Sequence, residues 1–220
     1  MMSLFGIMEA EAQDWANLQF YQTQNDTVLS LSIPKNRVVF MGNSITQGWK
    51  EAHPDFFKTN PYLDRGISGQ TTPQMLVRFR QDVIALKPKV VVILAGTNDI
   101  AGNTGPSTLE MIMDNIASMA ELAKANGIQP ILCSILPAYD YPWKKGMEPN
   151  IKIPKINELI KSYAKMKNFI YMDYFTPMAE PTNAMKAEYT YDGVHCTSKG
   201  YDVMEAMIVP AINKALKKKK

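Results

Sequence analysis

The chain contains two histidines, His53 and His195. The second closes the run Tyr191-Asp192-Gly193-Val194-His195. A carboxylate three residues ahead of an imidazole can fold back within one turn, orient the ring, and stabilise the imidazolium formed when the ring takes a proton. A hydroxyl brought within reach of such a ring becomes a nucleophile. Ser44, in Gly42-Asn43-Ser44-Ile45-Thr46-Gln47-Gly48, is the candidate, because a small-residue turn sets its hydroxyl at a strand-to-helix junction where negative charge is favoured. That charge needs donors. Gly66-Ile67-Ser68-Gly69-Gln70-Thr71-Thr72 offers bare glycine N–H groups, and Gly96-Thr97-Asn98-Asp99 offers the Asn98 amide. Singly, each has a plainer reading: Ser44 caps a helix, the glycine run is a loop, Asn98 or Asp99 makes an Asx-turn, and Asp192 neighbours a histidine by chance.

The elements around these runs decide whether they can meet. Arg37–Met41 is β-branched and aromatic, and Tyr62–Ile67 is a weaker strand candidate. Lys89–Ala95 is apolar with no alternation, the pattern of a strand buried on both faces of a parallel sheet. Ile128–Leu136 and Phe169–Asp173 complete five strands. Between them, Pro73–Leu86 has near-helical apolar spacing, Ser107–Asn126 starts with a capping signal (Ser107, Glu110) and stops at Asn126-Gly127, and Ile153–Lys167 reads as a helix. A last helix starts near Ser198 and is expected to bend or restart at Pro210. This alternation predicts one α/β domain over residues 13–220, a three-layer α/β/α sandwich around a five-stranded parallel sheet of order 2-1-3-4-5. Ligands of such sheets bind beyond the strand carboxyl ends, where all four runs fall.

The four runs, in this order over roughly Val38 to Tyr201, resemble the SGNH hydrolases, also called GDSL esterases and lipases. The G-x-S-x-G elbow of the α/β-hydrolases is absent, since Thr46 stands where it needs glycine. The resemblance implies a flavodoxin-like fold, Ser44 as nucleophile, Gly69 and Asn98 as oxyanion donors, and Asp192 with His195 as the acid-base pair. Asn43 and Ile45 replace the family's usual Asp and Leu, Asp64 stands where Asn is frequent, and Cys196 where Pro is. The expected activity is a serine esterase that removes short acyl groups, O-acetyl above all, from a carbohydrate. A lysophospholipase or thioesterase is the alternative within the family, and a non-catalytic anion or sugar binder the alternative outside it.

Composition narrows the partners. Of 220 residues, 46% are hydrophobic and 20% charged, ordinary for a soluble domain, and no apolar run reaches the roughly 18 residues of a membrane span. The formal charge is +3, yet the Lys217–Lys220 run supplies +4, so the rest sums to −1 and nucleic acid is not an expected partner. Cys133 and Cys196 read as free thiols, and no metal or organic cofactor is expected. His53, beside Pro54 and Asp55, reads as a surface histidine. Trp49 and the cluster Tyr139, Tyr141 and Trp143 are candidates for an aromatic rim, suited to sugar rings and acyl chains alike. Met1–Met8 is uncharged and mostly apolar, and Ala10-Glu11-Ala12 has the small-x-small form of a signal-peptidase site. The expectation is export, with residues 1–12 as the signal remnant.

Overall fold

The computed structural model describes residues 13–218. The expected cleavage segment and the final two lysines of the terminal run lie outside the described residues. Five parallel strands, β1 (Val38–Gly42), β2 (Tyr62–Gly66), β3 (Val90–Leu94), β4 (Gln129–Cys133) and β5 (Ile170–Met172), form one sheet in the order β2-β1-β3-β4-β5. This is the expected α/β topology. Every residue of β1 and β3 is buried, as continuous hydrophobicity in a central parallel strand requires.

The helices are α1 (Gln22–Ser30), α2 (Ser44–Ala52), α3 (Pro54–Lys58), α4 (Thr72–Phe79), α5 (Thr97–Ile100), α6 (Leu109–Ala125), α7 (Pro149–Met166), α8 (Phe175–Met178) and α9 (Ser198–Lys217). Because side chains alternate along a strand, β1 and β3 split cleanly between two cores. Val39, Met41, Val91 and Ile93 pack with Met75 of α4, Ile112 of α6 and Ile156 of α7. Val38, Phe40, Val90 and Val92 pack with Trp49 of α2, Phe57 of α3 and Met204 of α9. Phe40 lies edge-on to both Trp49 (5.5 Å) and Phe57 (5.4 Å), and truncating such a residue to Ala costs about 3–5 kcal/mol.

Several boundaries differ from expectation. The Pro73–Leu86 pattern ends as α-helix at Phe79 and continues as a wider π-helical turn, Arg80–Ile84. The cap of α6 is Thr108 rather than Ser107; its side chain accepts from the Met111 N–H at 3.2 Å. α7 begins at Pro149, four residues early, and runs through Pro154. Proline there leaves the Asn150 carbonyl without a helical donor, and the Asn183 amide supplies one at 2.9 Å. α9 likewise continues through Pro210 without restarting; Pro210 is exposed, so water can serve the carbonyl it leaves free. Among the described residues no helix is long and apolar enough to cross a membrane.

Strand register positions the site. Gly42 at the end of β1 is level with Gly66 of β2 and Leu94 of β3, so the runs carrying Ser44, Gly69 and Asn98 leave the sheet at one edge. Gly42 is required by close approach, since a Cβ there would sit 2.0 Å from Thr46 Oγ1.

Candidate active site

Ser44 is the first residue of α2, one residue beyond the end of β1. The cap of α2 is Asn43, whose side chain accepts from the Ile45 N–H at 3.0 Å. Ser44 is therefore free of the capping duty that its type and position would allow it. Its Oγ lies 3.0 Å from His195 Nε2.

The Asp192–His195 run folds as its spacing demands. Asp192 Oδ1 accepts the N–H groups of Val194 (2.9 Å) and His195 (2.7 Å), which leaves Oδ2 facing His195 Nδ1 at 2.6 Å. Thr190 braces the turn, donating to the His195 carbonyl at 2.7 Å and accepting from the Gly193 N–H at 2.9 Å. Burial works to raise the pKa of Asp192, but the His195 and Val194 N–H groups and the imidazole outweigh it and hold the carboxyl below its ordinary range. An ionised Asp192 fixes the proton on Nδ1 and leaves Nε2 as the acceptor facing Ser44.

Gly69 has φ +77°, a left-handed conformation, and a Cβ there would meet nothing within 4 Å. Glycine is needed for conformation, not for space. Asn98 is buried and gives one amide hydrogen to the Gln70 carbonyl at 2.9 Å. Its second hydrogen remains for the cleft, which Ser44, Ser68, Gly69, Asn98, Asn103, Trp143 and His195 line around a cavity of about 220 Å³. The structure thus brings together all five residues singled out in the sequence. A hydroxyl, a base and two donor types converge there, the constellation that acyl transfer needs. Among the described residues no cluster of three or more metal-ligating side chains is present.

Other expectations fail or need refining. Trp49 and Tyr141 are not rim residues. Trp49 is 1% exposed and stacks on Phe56 and Tyr201, while Tyr141 is fully buried with its hydroxyl 2.9 Å from Thr97 Oγ1. Trp143 is 44% exposed, stacks on Tyr141, and stands 6.0 Å from the His195 ring, so it does form a wall. Tyr139 is exposed. Tyr191, not anticipated as a wall, also stacks on His195, at 5.8 Å and 13°; its place next to Asp192 in the sequence was the available signal. His53 is not an open surface histidine: its side chain is 14% exposed and bonded at both nitrogens, to Glu205 and Ser198. Cys133 and Cys196 are free and buried, as expected.

Asp99 and Asn103 were missed. Burial raises the pKa of the Asp99 carboxyl against the pull of the Thr72 donors. It accepts from the Thr72 N–H (3.0 Å) and hydroxyl (2.5 Å), tying the start of α4 to α5. Asn103 links two walls, donating to the Gly69 carbonyl at 3.1 Å and facing the Trp143 indole N–H at 3.4 Å.

The chain is similar to known proteins in sequence and in fold. The profile of the GDSL-like Lipase/Acylhydrolase family matches residues 40–203. A GDSL-like lipase of Bacteroides thetaiotaomicron superposes with a TM-score of 0.87 at 52% identity, covering 91% of this chain and 98% of that one. The platelet-activating factor acetylhydrolase IB subunit alpha2 of Rattus norvegicus is 28% identical over 80% of this chain and 76% of its own length. A substituted form of a Geobacillus acetyl-xylooligosaccharide esterase shares the fold at 19% identity, with a TM-score of 0.65, over 80% of this chain and 94% of that one.

Proposed function

From the premise that the chain belongs to the GDSL-like lipase/acylhydrolase family and is a carboxylic ester hydrolase, we propose that it cleaves short acyl esters, chiefly O-acetyl groups on carbohydrate, by a Ser44–His195–Asp192 relay. The observation that carries this reading is the continuous contact from Ser44 Oγ to His195 Nε2 (3.0 Å) and from His195 Nδ1 to Asp192 Oδ2 (2.6 Å).

In the first half-reaction His195 Nε2 takes the Ser44 proton as Oγ bonds to the ester carbonyl carbon. The oxyanion is met by the backbone N–H groups of Ser44 and Gly69 and by the Asn98 amide, and losing one such donor typically costs about 3–4 kcal/mol. The tetrahedral species collapses as the ester C–O bond breaks and His195 returns the proton to the departing alkoxide. In the second half, His195 deprotonates water, the resulting hydroxide attacks the acyl-Ser44 carbonyl, and the carboxylic acid leaves with Ser44 reprotonated. No step calls on a metal or organic cofactor.

Three features favour a short acyl group on a ring-shaped alcohol. The cavity of about 220 Å³ lies below the ~300–1,000 Å³ usual for drug-sized ligands. The leaving alcohol must depart beside His195 Nε2, and exposed Trp143 and Tyr191 flank that ring, offering flat apolar faces to a sugar. Two similar proteins carry acetyl ester cleavage in their names. Export, with cleavage after Ala12, belongs to the same proposal, and N-terminal sequencing from the native host tests it: a retained Met1 counts against it.

A fluorophosphonate should label Ser44 covalently, whereas a passive sugar or anion binder stays unmodified. Acetyl nitrophenyl ester should be hydrolysed in preference to the decanoyl ester, and O-acetylated xylo-oligosaccharides should release acetate. Preference for the decanoyl chain would move the assignment to a lysophospholipase or thioesterase.

A further inference from the structure

The oxyanion turn poses a mechanical problem. Gly69 is exposed, its conformation is one that L side chains avoid, and nothing packs where its side chain would be. An oxyanion donor must nevertheless be held to a fraction of an ångström before the charge forms. What holds it must lie beside it.

Gln70, the next residue, is 3% exposed, and its polar atoms are all engaged. Its carbonyl accepts from Asn98 Nδ2 at 2.9 Å, and its own N–H returns to the Ile67 carbonyl at 3.3 Å. Its Oε1 accepts from Arg78 Nε at 2.5 Å, and its Nε2 donates to the Ala16 carbonyl at 2.7 Å. Arg78 is fully buried; NH2 reaches the Gly42 carbonyl at 3.0 Å, two residues before Ser44, and NH1 pairs with Asp82 at 3.0 Å. Gln70 therefore holds the Asn98 amide through its backbone carbonyl, next to the Gly69 peptide, while its side chain ties that peptide to the segment preceding α1 and, by way of Arg78, to the end of β1 that carries Ser44.

We propose that Gln70 is the positioning residue that sets both oxyanion donors, the Gly69 N–H and the Asn98 amide, relative to Ser44. The proposal rests on the serine-relay reading of the preceding subsection. Gln70 itself lines no part of the cleft and acts only through the two donors. Arg78 is the arm by which it is referenced to β1, and the Ala16 carbonyl makes the segment before α1 a second anchor. A displacement of about 1 Å at a reacting group can cost on the order of a hundredfold in rate, so the bonds to this side chain bear on turnover and not only on folding.

The test uses the full-length chain and two substitutions. Gln70→Leu removes both side-chain bonds. Gln70→Glu keeps an acceptor for Arg78 but loses the donor to Ala16. The readouts are kcat and KM for an acetyl nitrophenyl ester, the pH profile, and thermal midpoints. In Gln70→Leu, kcat should fall about ten- to a hundredfold with KM within about twofold, and Gln70→Glu should fall in between. The acid limb of the pH profile should not move in either, because Asp192 and His195 are untouched. Wild-type kcat in both folded variants, with only the thermal midpoint lowered, would make Gln70 a packing residue and overturn the proposal. So would a rise in KM at constant kcat. If Gln70→Leu does not fold, Gln70→Glu alone decides. Ser44→Ala separates the two levels: undiminished activity there removes the relay reading itself, whereas its loss beside normal Gln70 variants rejects only the positioning role.

Discussion

The described residues contain two serine–histidine–carboxylate chains, and they differ in what faces the hydroxyl. In one, Ser44 Oγ meets His195 at 3.0 Å and His195 meets Asp192 at 2.6 Å. In the other, Ser198 Oγ meets His53 at 2.7 Å and His53 meets Glu205 at 2.8 Å. By bond lengths alone they are equivalent. Ser44, however, sits at the carboxyl end of a central strand and shares its cavity with Gly69 and Asn98. Ser198 is an exposed first residue of α9, and Glu205 also accepts from the Trp49 indole at 2.9 Å. The second set is a strut joining α2, the α2–α3 junction and α9. A hydrogen-bonded relay gives a hydroxyl a base to take its proton, and in the proposed reading it is the donors waiting for the oxyanion that set Ser44 apart from Ser198.

The comparison can be broken most forcefully at the two serines. Ser44→Ala should lower turnover of a short acyl nitrophenyl ester by about a millionfold, while Ser198→Ala stays within about twofold; similar losses at both would erase the distinction. The two histidines extend it. Replacing His195 with Gln should remove the neutral-pH limb of the rate profile, and the same change at His53 should leave that limb in place. The donors come next: Asn98→Ala should reduce kcat about a hundredfold or more, and a change confined to KM would recast Asn98 as a binding residue. Glu205→Ala should instead cost about 1–3 kcal/mol of stability, because it strands the Trp49 and His53 donors, with kcat intact; denaturant midpoints measured beside kinetics decide it.

The last effect, on stability alone, concerns Asp64, near the oxyanion turn but outside the cleft. Burial pushes its pKa up to about 6, although the Gly66 N–H and the Tyr21 hydroxyl pull it down. The unfolded chain then releases this proton first, near the ordinary value of 3.8. Stability should therefore fall as pH rises from there to about 6, by on the order of 1–3 kcal/mol. Asp64→Asn should flatten that slope in denaturant titrations, and an unchanged slope would show that Asp64 titrates normally. Asp192 has the opposite sign: its depressed pKa lends stability above the ordinary carboxylate value, lost as pH falls through the folded one.

The strands were legible from local signals, uninterrupted apolar runs with small-residue turns after them, and their alternation with helices pointed to the sheet order; the five candidate site residues were legible from the order of the four runs and the family they resemble. Trp49 misled because five residues along a helix turn about 140° past a full revolution. Closeness to Ser44 in sequence thus put it on the opposite side, against Phe40. α1 could not be read, since Asn25 is its one buried residue and no apolar period marks it; Asn25 is held instead by Arg65 and Asp82. The environment of His53 comes from residues about 150 positions away, and the Asn183 side chain that serves the carbonyl freed by Pro154 lies 33 residues beyond Asn150. Long-range polar bonds of this kind leave no periodic trace.

Trp143 leans over His195 and is joined through Asn103 to the Gly69 carbonyl. An indole so situated is a native fluorophore at the mouth of the cleft. Of the two other indoles, Trp49 is sealed in the core and should give a steady blue emission, and replacing exposed Trp15 with Phe removes the third. Arrival of an ester, or formation of the acyl-enzyme, can accordingly be followed by the colour and intensity of the light from Trp143, without attaching a dye.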